Sequence, residues 1–390
     1  MSKIKVNRIE NTSTTDGGVS IDVDGHVTID GQQLPTAGPL SNRSLIINGA
    51  MKVSQRGTSI TGATDIAYRA CDRFENIIQS AGTYTVSQAT DAPSGFTKSF
   101  KYEVTTAQPS PSAGAQCALQ YTFEGQDLQL LDYGTSSAKS MTLSFWVKSN
   151  LPGTYSAEFF QDDNSLRNYI FSYEISSAGV WEPKTVTITG DTAGVIDDDN
   201  TAGLTLKMYQ AAGPDFTSGT FSPGSWAART KANVVSSSSP NLAATVGNTW
   251  QITGVQLEVG SKATPFEHRS YGDELARCQR YYQKLTYEGN DVRVGIGQAI
   301  NSSSVDVYIP FVTTMRASPT ALEQSGTAAD YGIINASGGG GDCTSIPSFR
   351  FANLSSITVR FTDTGQVSAG NASQAYLDTA NAFLAWSAEL

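Results

Sequence analysis

The acidic clusters come first, because they are where this chain has the atoms to hold a cation. Asp197-Asp198-Asp199-Asn200 sets oxygen-bearing side chains in a row, the hard ligands that Ca²⁺ takes. Adjacent side chains rarely all converge on one ion, so a solvated acidic turn explains the run equally well. Asp162-Asp163-Asn164 poses the same choice. Asp22-x-Asp24-Gly25 opens like a calcium loop but lacks the later positions, including the terminal bidentate Glu, and a hairpin turn fits it better. A second chemistry is sugar recognition, which needs an exposed aromatic face for C–H groups and planar polar groups for hydroxyls. Trp181, Tyr209, Trp226 and Arg229 lie on or beside loop-rich segments and offer both. Tyr331, Asp342 and Arg350 flank Ser337-Gly338-Gly339-Gly340-Gly341 and mark a second such region, since loops on a rigid scaffold carry recognition. Against this, large aromatics mostly pack in cores or seal subunit contacts.

Other chemistries are poorly supplied. The chain has two histidines, His26 and His268, so a three-histidine metal site within it is impossible. A Ser-His-Asp arrangement would have to use one of them, and both fall in connecting segments. Gly338 to Gly341 is not followed by Lys-Ser/Thr or by a helix, so it is no phosphate loop. Cys71, Cys117, Cys278 and Cys343 have no CxxC spacing, which disfavours a zinc knuckle and, in a reducing cytoplasm, leaves free, partly buried thiols as the simplest reading. Paired carboxylates for glycoside hydrolysis stay open, because acidic pairs abound in an acidic chain. The formal net charge of -10, with no Lys/Arg block, repels phosphate backbones and argues against nucleic acid. No apolar run approaches the roughly 20 residues of a membrane span. The opening MSKIKVNRIENTS lacks a signal peptide's apolar core, so synthesis in a cytoplasm without a signal is expected.

These residues must be positioned by strands. The chain has 390 residues, of which 16% are charged, against about 25% typically. Ser, Thr and Gly fill the difference, a mixture that favours short strands and turns. Within 1–43, Ile4, Val6 and Ile9, then Val19, Ile21 and Val23, then Val27 and Ile29 give one apolar stripe before a Pro/Gly linker. A three-residue turn at Asp24-Gly25-His26, pairing Val23 with Val27 and Ile21 with Ile29, keeps that stripe on one face. From about 44 to 269, strand candidates from Ser44–Ile47 to Thr249–Val259 recur between turn signals with no helix among them, which predicts an antiparallel sandwich. In one of them Met141, Leu143, Phe145 and Val147 face the core, while Trp146 lies opposite, under a loop. Ser270 then caps a helix over 270–285, with Leu275, Cys278, Tyr282 and Leu285 as a narrow stripe. That stripe suits either packing on a sheet or a three-fold helix bundle. Residues 286–390 alternate as a smaller β-domain, ending in the apolar strand Ala382–Trp386.

The ordered segments "LIINGAMKVSQRGTS", "CDRFE", "LQYTFEGQDLQLLDYGTSSAKSMTLSFWVKS", "GVQLEVG", "TPFEHRSYGDELARCQRYY" and "YIPFVTTMRASPTAL" resemble those of bacteriophage tail-fibre proteins. "SKIKV" with "VTIDG" resembles the N-termini of fibres from marine and cyanobacterial phages. The resemblance implies a mostly β protein: an N-terminal virion-attachment module (1–43), a jelly roll like that of carbohydrate-binding modules (44–269), a linking helix (270–285) and a C-terminal β-sandwich tip (286–390). It further implies a virion tail appendage, a homotrimer, with no catalytic residues. The N-terminal stripe (Ile4, Val6, Ile9, Val19, Ile21, Val23) would dock on a tail, nozzle or baseplate protein. The helical stripe would make subunit contacts, and the sandwich or tip would bind a host surface polysaccharide or receptor. A structural Ca²⁺ at Asp197, Asp198 and Asp199 belongs to the same expectation. The alternatives are a purely structural neck, capsid or baseplate fibre and a glycan-depolymerising tail protein. The latter usually carries a long parallel β-helix, and no repeat of that regularity occurs here.

Overall fold

The computed structural model describes residues 8–9, 18–21, 27–29, 32–34, 39–163, 166–289, 292–363 and 365–390. The protein is mostly β, 45% strand and 8% helical, built from antiparallel sheets. It divides into two compact units, Met1–Ser270 with Leu390 and Tyr271–Glu389.

The first unit is a two-sheet sandwich. One sheet has the strand order Trp226–Ala228, Arg167–Ile175, Gly153–Gln161, Ala202–Ala212, Gln116–Glu124, Glu75–Gln79, Ile66–Tyr68. The other runs Glu182–Ile188, Met141–Ser149, Thr249–Val259, Ser99–Thr106, Thr83–Ala89, Ser59–Ala63. Strict alternation supplies the core between them. Met141, Leu143, Phe145 and Val147 meet Tyr155, Ala157, Phe159, Leu206 and Met208 from the facing sheet. The residues between these, such as Trp146 and Lys148 or Glu158 and Lys207, therefore stand on the two outer faces. The expected strand at Ser44–Ile47 does not form. This extended segment makes one bond of the ladder type, Leu45 N–H to the Leu257 carbonyl, and buries Ile46.

In the short N-terminal sheet, Ile21 pairs with Val27 and Val19 with Ile29. This corrects the expected register by two residues. An even shift keeps every side chain on its face, so the apolar pattern cannot tell the two registers apart. Ile9, Ile21 and Ile29 are all more than 40% exposed on that face. Ile4, Val6, Val23 and the turn 24–26 lie outside the described residues.

The second unit packs a seven-stranded sheet (order Gly340–Asp342, Tyr331–Asn335, Ala372–Leu377, Val292–Ala299, Ser304–Pro310, Ser356–Thr362, Ser345–Ala352) against a three-stranded one (Tyr282–Thr286, Phe383–Ser387, Glu323–Gln324). Val305, Val307, Ile333 and Phe361 face Leu384 and Trp386 in its core. The helix is shorter than expected, Tyr271–Gln279. Tyr282 and Leu285 belong to a strand that pairs residue by residue with Phe383–Ser387. Aromatic Tyr281 and Tyr282 favour that outcome, and the backbone bonds of a whole ladder outweigh continuing one helical turn. The proposed subunit stripe thus does not exist as one: Cys278 and Tyr282 are buried inside the unit, and Leu275 and Leu285 are half-buried. Among the described residues no helix is long and apolar enough to cross a membrane.

Candidate functional site

On the outer face of the six-stranded sheet, aromatic rings gather around a missing side chain. The 141–149 and 249–259 strands slip register between Ser144 and Trp146, and Gly254 takes up the irregularity at φ +61°. A Cβ on Gly254 would lie 2.6 Å from Phe96 Cζ and 3.1 Å from Trp146 Cδ1, so both rings close over it. Phe96 arrives from the turn Pro93-Ser94-Gly95, closed by its N–H on the Pro93 carbonyl at 3.0 Å. Phe266 and His268 arrive from segment 260–269. Ring centroids are 5.0 Å apart for Phe96–Phe266, 5.3 Å for Phe96–His268 and 4.9 Å for Phe266–His268. Phe96, Trp146 and Phe266 are partly exposed and His268 is exposed. Burial and then the Lys52 charge hold the His268 imidazole below its ordinary range.

Segment 260–269 is clamped to the sheet. Glu258 accepts the Thr264 N–H and Oγ1–H at 2.7 Å each, and Gln256 accepts the Glu267 N–H at 2.8 Å. The Glu267 carboxylate accepts the N–H groups of Arg43 and Ser44 at 3.1 Å and Arg269 at 3.0 Å. Burial pushes Glu267 upward, but those N–H donors and the Arg269 and Arg43 charges hold it below the usual carboxylate range.

Beside the rings, Asp91 organises a polar hub. It accepts Trp181 Nε1–H at 3.1 Å, Lys148 Nζ at 2.7 Å and Gln251 Nε2 at 3.3 Å. Lys148 Nζ also lies 5.9 Å from the Trp181 ring centroid. Burial opposes ionisation of Asp91, but the Lys148 and Trp181 donors prevail and lower its pKa. The result is a surface of partly exposed rings bordered by oriented donors and acceptors, the combination that sugar C–H faces and hydroxyls require.

Trp181 is the one sequence candidate placed there. Tyr209 is 1% exposed and its hydroxyl donates to Glu158 Oε1 at 2.7 Å, so it is no contact surface. Arg229 pairs bidentately with Glu158 at 2.7 and 3.0 Å and stacks over Phe160 at 4.7 Å. Tyr209 and Asn168 also donate to Glu158, so each oxygen of this buried carboxylate accepts two hydrogen bonds. Trp226 seals the core edge against Tyr133 and Tyr169 and donates Nε1–H to the Thr189 carbonyl. Tyr331 is buried, its hydroxyl spent on the Phe383 carbonyl at 2.7 Å. Asp342 and Arg350 are exposed, but the glycine segment beside them is partly a strand, Gly340–Asp342, after a turn that Asn335 fastens through Ser337 N–H and Gly339 N–H. Asp197, Asp198 and Asp199 form an exposed turn. Asp199 is spent on Thr201, the Asp197 N–H donates to Asp163, and among the described residues no three acidic, His or Cys groups converge as a metal would need.

Sequence reasoning missed Asp91, Phe96, Phe266 and His268 as a group. Outward parity set Trp146 opposite the core, and of the two rings over Gly254 it alone was named from the sequence. Only the fold brings residues 96, 146, 181, 254 and 266 together.

No family model and no curated protein matches the chain. Among solved structures it is similar to the enzymatically active domain of tailspike protein 4 of bacteriophage CBA120, at 14% identity and TM-score 0.29, over 55% of this chain and 21% of that one. It is similar to the N-terminal cellulose-binding domain of Cellulomonas fimi β-1,4-glucanase C at 14% identity and TM-score 0.25, over 54% and 100%. It is also similar to the CBM22-1–GH10 modules of Clostridium thermocellum xylanase 10B complexed with xylohexaose, at 11% identity and TM-score 0.27, over 56% and 29%. At these identities and scores none of the three bears on what this chain does.

Proposed function

We propose that this chain is a glycan-binding adhesin of the tail-fibre type, in which the sandwich unit carries the sugar-binding surface. The observation that carries the reading is the ring surface over Gly254 with the Asp91 hub beside it. Its rings are held half-exposed by a clamped segment instead of being folded into the core, although covering them would stabilise the unit. The order of tail-fibre-like segments along the sequence supplies the setting: attachment through the N-terminal module, presentation of the sandwich and tip to the host surface, and three copies acting together. Several weak sites on one particle then give tight adsorption through avidity. No step of bond cleavage is assigned.

The test is binding of the full chain to isolated host-surface polysaccharide, with Trp181→Ala and Trp146→Ala alongside. Each substitution is expected to weaken binding about tenfold, ~1.4 kcal/mol, with an unchanged circular dichroism spectrum. Wild-type binding by both variants would remove the ring surface from the function. A second reading, a fibre that binds only virion proteins, is favoured by the exposed isoleucine face of the N-terminal sheet, Ile9, Ile21 and Ile29. It would be indicated by no polysaccharide binding together with capture by the particle.

A further inference from the structure

The outer face of the seven-stranded sheet in the second unit carries a single file of side chains. Residues paired across a ladder share a face. The pairs Ile334–Gln374, Gln374–Ile296, Ile296–Tyr308, Tyr308–Thr358 and Thr358–Phe351 therefore set one row of side chains across neighbouring strands. Their chain neighbours Ile333, Ala375, Val307 and Val359 lie in the core, so the row faces outward. Ile296 is 66%, Tyr308 56% and Phe351 62% exposed. At the other end from Phe351 the row runs into a hollow of about 340 Å³, lined among others by Ile296, Ile334, Gln374, Asn335 and Gly338. Gln374 is half-buried there, and among the described residues its amide makes no hydrogen bond and meets solvent. The outward positions that border the row are polar. On one side Asp306 and Arg360 close a bidentate pair at 2.7 and 2.8 Å. On the other, the Arg293 guanidinium lies over the Tyr376 ring, 4.9 Å from its centroid.

The geometry points to this row as a binding site for a neutral, extended polysaccharide of the β-1,4-linked type, laid across the strands with one end in the hollow. Width argues against a second copy of the chain as the occupant. A stable protein interface buries roughly 800 Å² on each partner around an apolar core, which one file bordered by charges does not supply. A linear polymer needs no greater width. Tyr308 and Phe351 stand two strands apart, about 10 Å. That is close to one disaccharide of an extended β-1,4-linked chain, in which every second sugar turns the same C–H face. Asp306 and Arg360 neutralise each other, so this border meets hydroxyls without selecting a charged sugar. The Gln374 amide adds a donor and an acceptor. The inference rests on the reading of this chain as a glycan binder, but it shares no residue with the sandwich surface.

The test is calorimetry on the full chain with β-1,4-linked hexasaccharides of glucose, mannose and N-acetylglucosamine, and with the α-1,4-linked glucose hexasaccharide. Tyr308→Ala and Phe351→Ala each remove one ring. Val312→Ser, at a 73% exposed position of the same unit outside the row, is the control. The expected result is that one of the β-linked sugars binds, that the α-linked one binds about tenfold more weakly, and that each ring variant loses about tenfold while Val312→Ser binds as wild type. Should Tyr308→Ala lose its circular dichroism spectrum, Phe351→Ala, on the edge strand, carries the test. Wild-type binding by both ring variants, equal binding of the α-linked sugar, or no binding of any β-linked sugar would overturn the site. So would ring variants that lower the light-scattering mass and leave sugar binding intact, since the row would then be a subunit contact. Trp181→Ala in parallel separates the two surfaces. Loss in Trp181→Ala alone removes this site and leaves the sandwich surface standing. Loss in the ring variants alone supports this site and removes the sandwich surface for that sugar.

Discussion

At the residue scale the informative groups are Glu158 and Lys207, neighbours on adjacent strands with opposite fates. Glu158 is fully buried and fully satisfied, so removing its partner strands a charge. Arg229→Met should cost about 3–5 kcal/mol in urea unfolding, the usual penalty for breaking a buried pair from one side. Lys207 is 8% exposed, and burial works against its charge. Its folded pKa, about 8, lies below the unfolded lysine value, so the unfolded chain binds more protons between them. The penalty is fully present below about pH 8 and is relieved as pH rises towards the unfolded value. Lys207→Met is therefore expected to raise stability at pH 7, and stability of the wild type should climb with pH above about 8 while the variant's stays flat there. Of this pair the sequence signalled neither. Arg229 and Tyr209 stood out as surface groups because their types bind sugars. Only contact geometry shows that both are spent on Glu158.

At the element scale, the bulge at Gly254 and the clamp of segment 260–269 decide the ring surface. Gly254→Val would combine a left-handed backbone with a Cβ 2.6 Å from Phe96. It should cost about 1–3 kcal/mol for the backbone alone and displace Phe96, read as a lower urea midpoint and lost ring-face binding. The clamp depends on pH through Glu267. Its folded pKa is depressed, so its contribution is present above the unfolded glutamate value and is lost as pH falls through the lower folded one. Amide exchange of 260–269 should therefore rise in acid before the core strands exchange, and Glu267→Gln should exchange fast already at neutral pH. Protection in acid equal to that at neutral pH would remove Glu267 from the clamp. Alternation in 141–149 and 249–259 was legible in the residues, because period two is written into each strand. The helix end at Gln279 was not. Its stripe over 275, 278, 282 and 285 fits helical spacing, and only the strand 383–387, roughly a hundred residues away, captures its second half.

At the scale of the whole molecule, the exposed isoleucine face of the N-terminal sheet is too small to fold on its own apolar area, and we propose that other chains cover it. We expect light scattering to report a trimer for the full chain, and a trimer that persists after removal of residues 1–43. Persistence would place assembly in the larger units. A monomer in both forms would end the self-assembling fibre and leave a subunit that is ordered on its virion partner.

Composition and periodicity alone determined that this protein is a mostly β chain with an antiparallel sandwich and a smaller β unit after it, because the alternation that buries one face of each strand is local. The order of its segments resembles that of tail-fibre proteins and supplies the setting of the proposed function. Tertiary structure alone decided which aromatics reach solvent: Trp181 and Trp146 do in part, whereas Tyr209 and Tyr331 are buried. The physical reason is that exposure is not a property of a residue or its neighbours in sequence. It depends on what the rest of the chain lays over that point, and at Gly254 and Lys207 those coverings come from strands and loops that are distant in sequence.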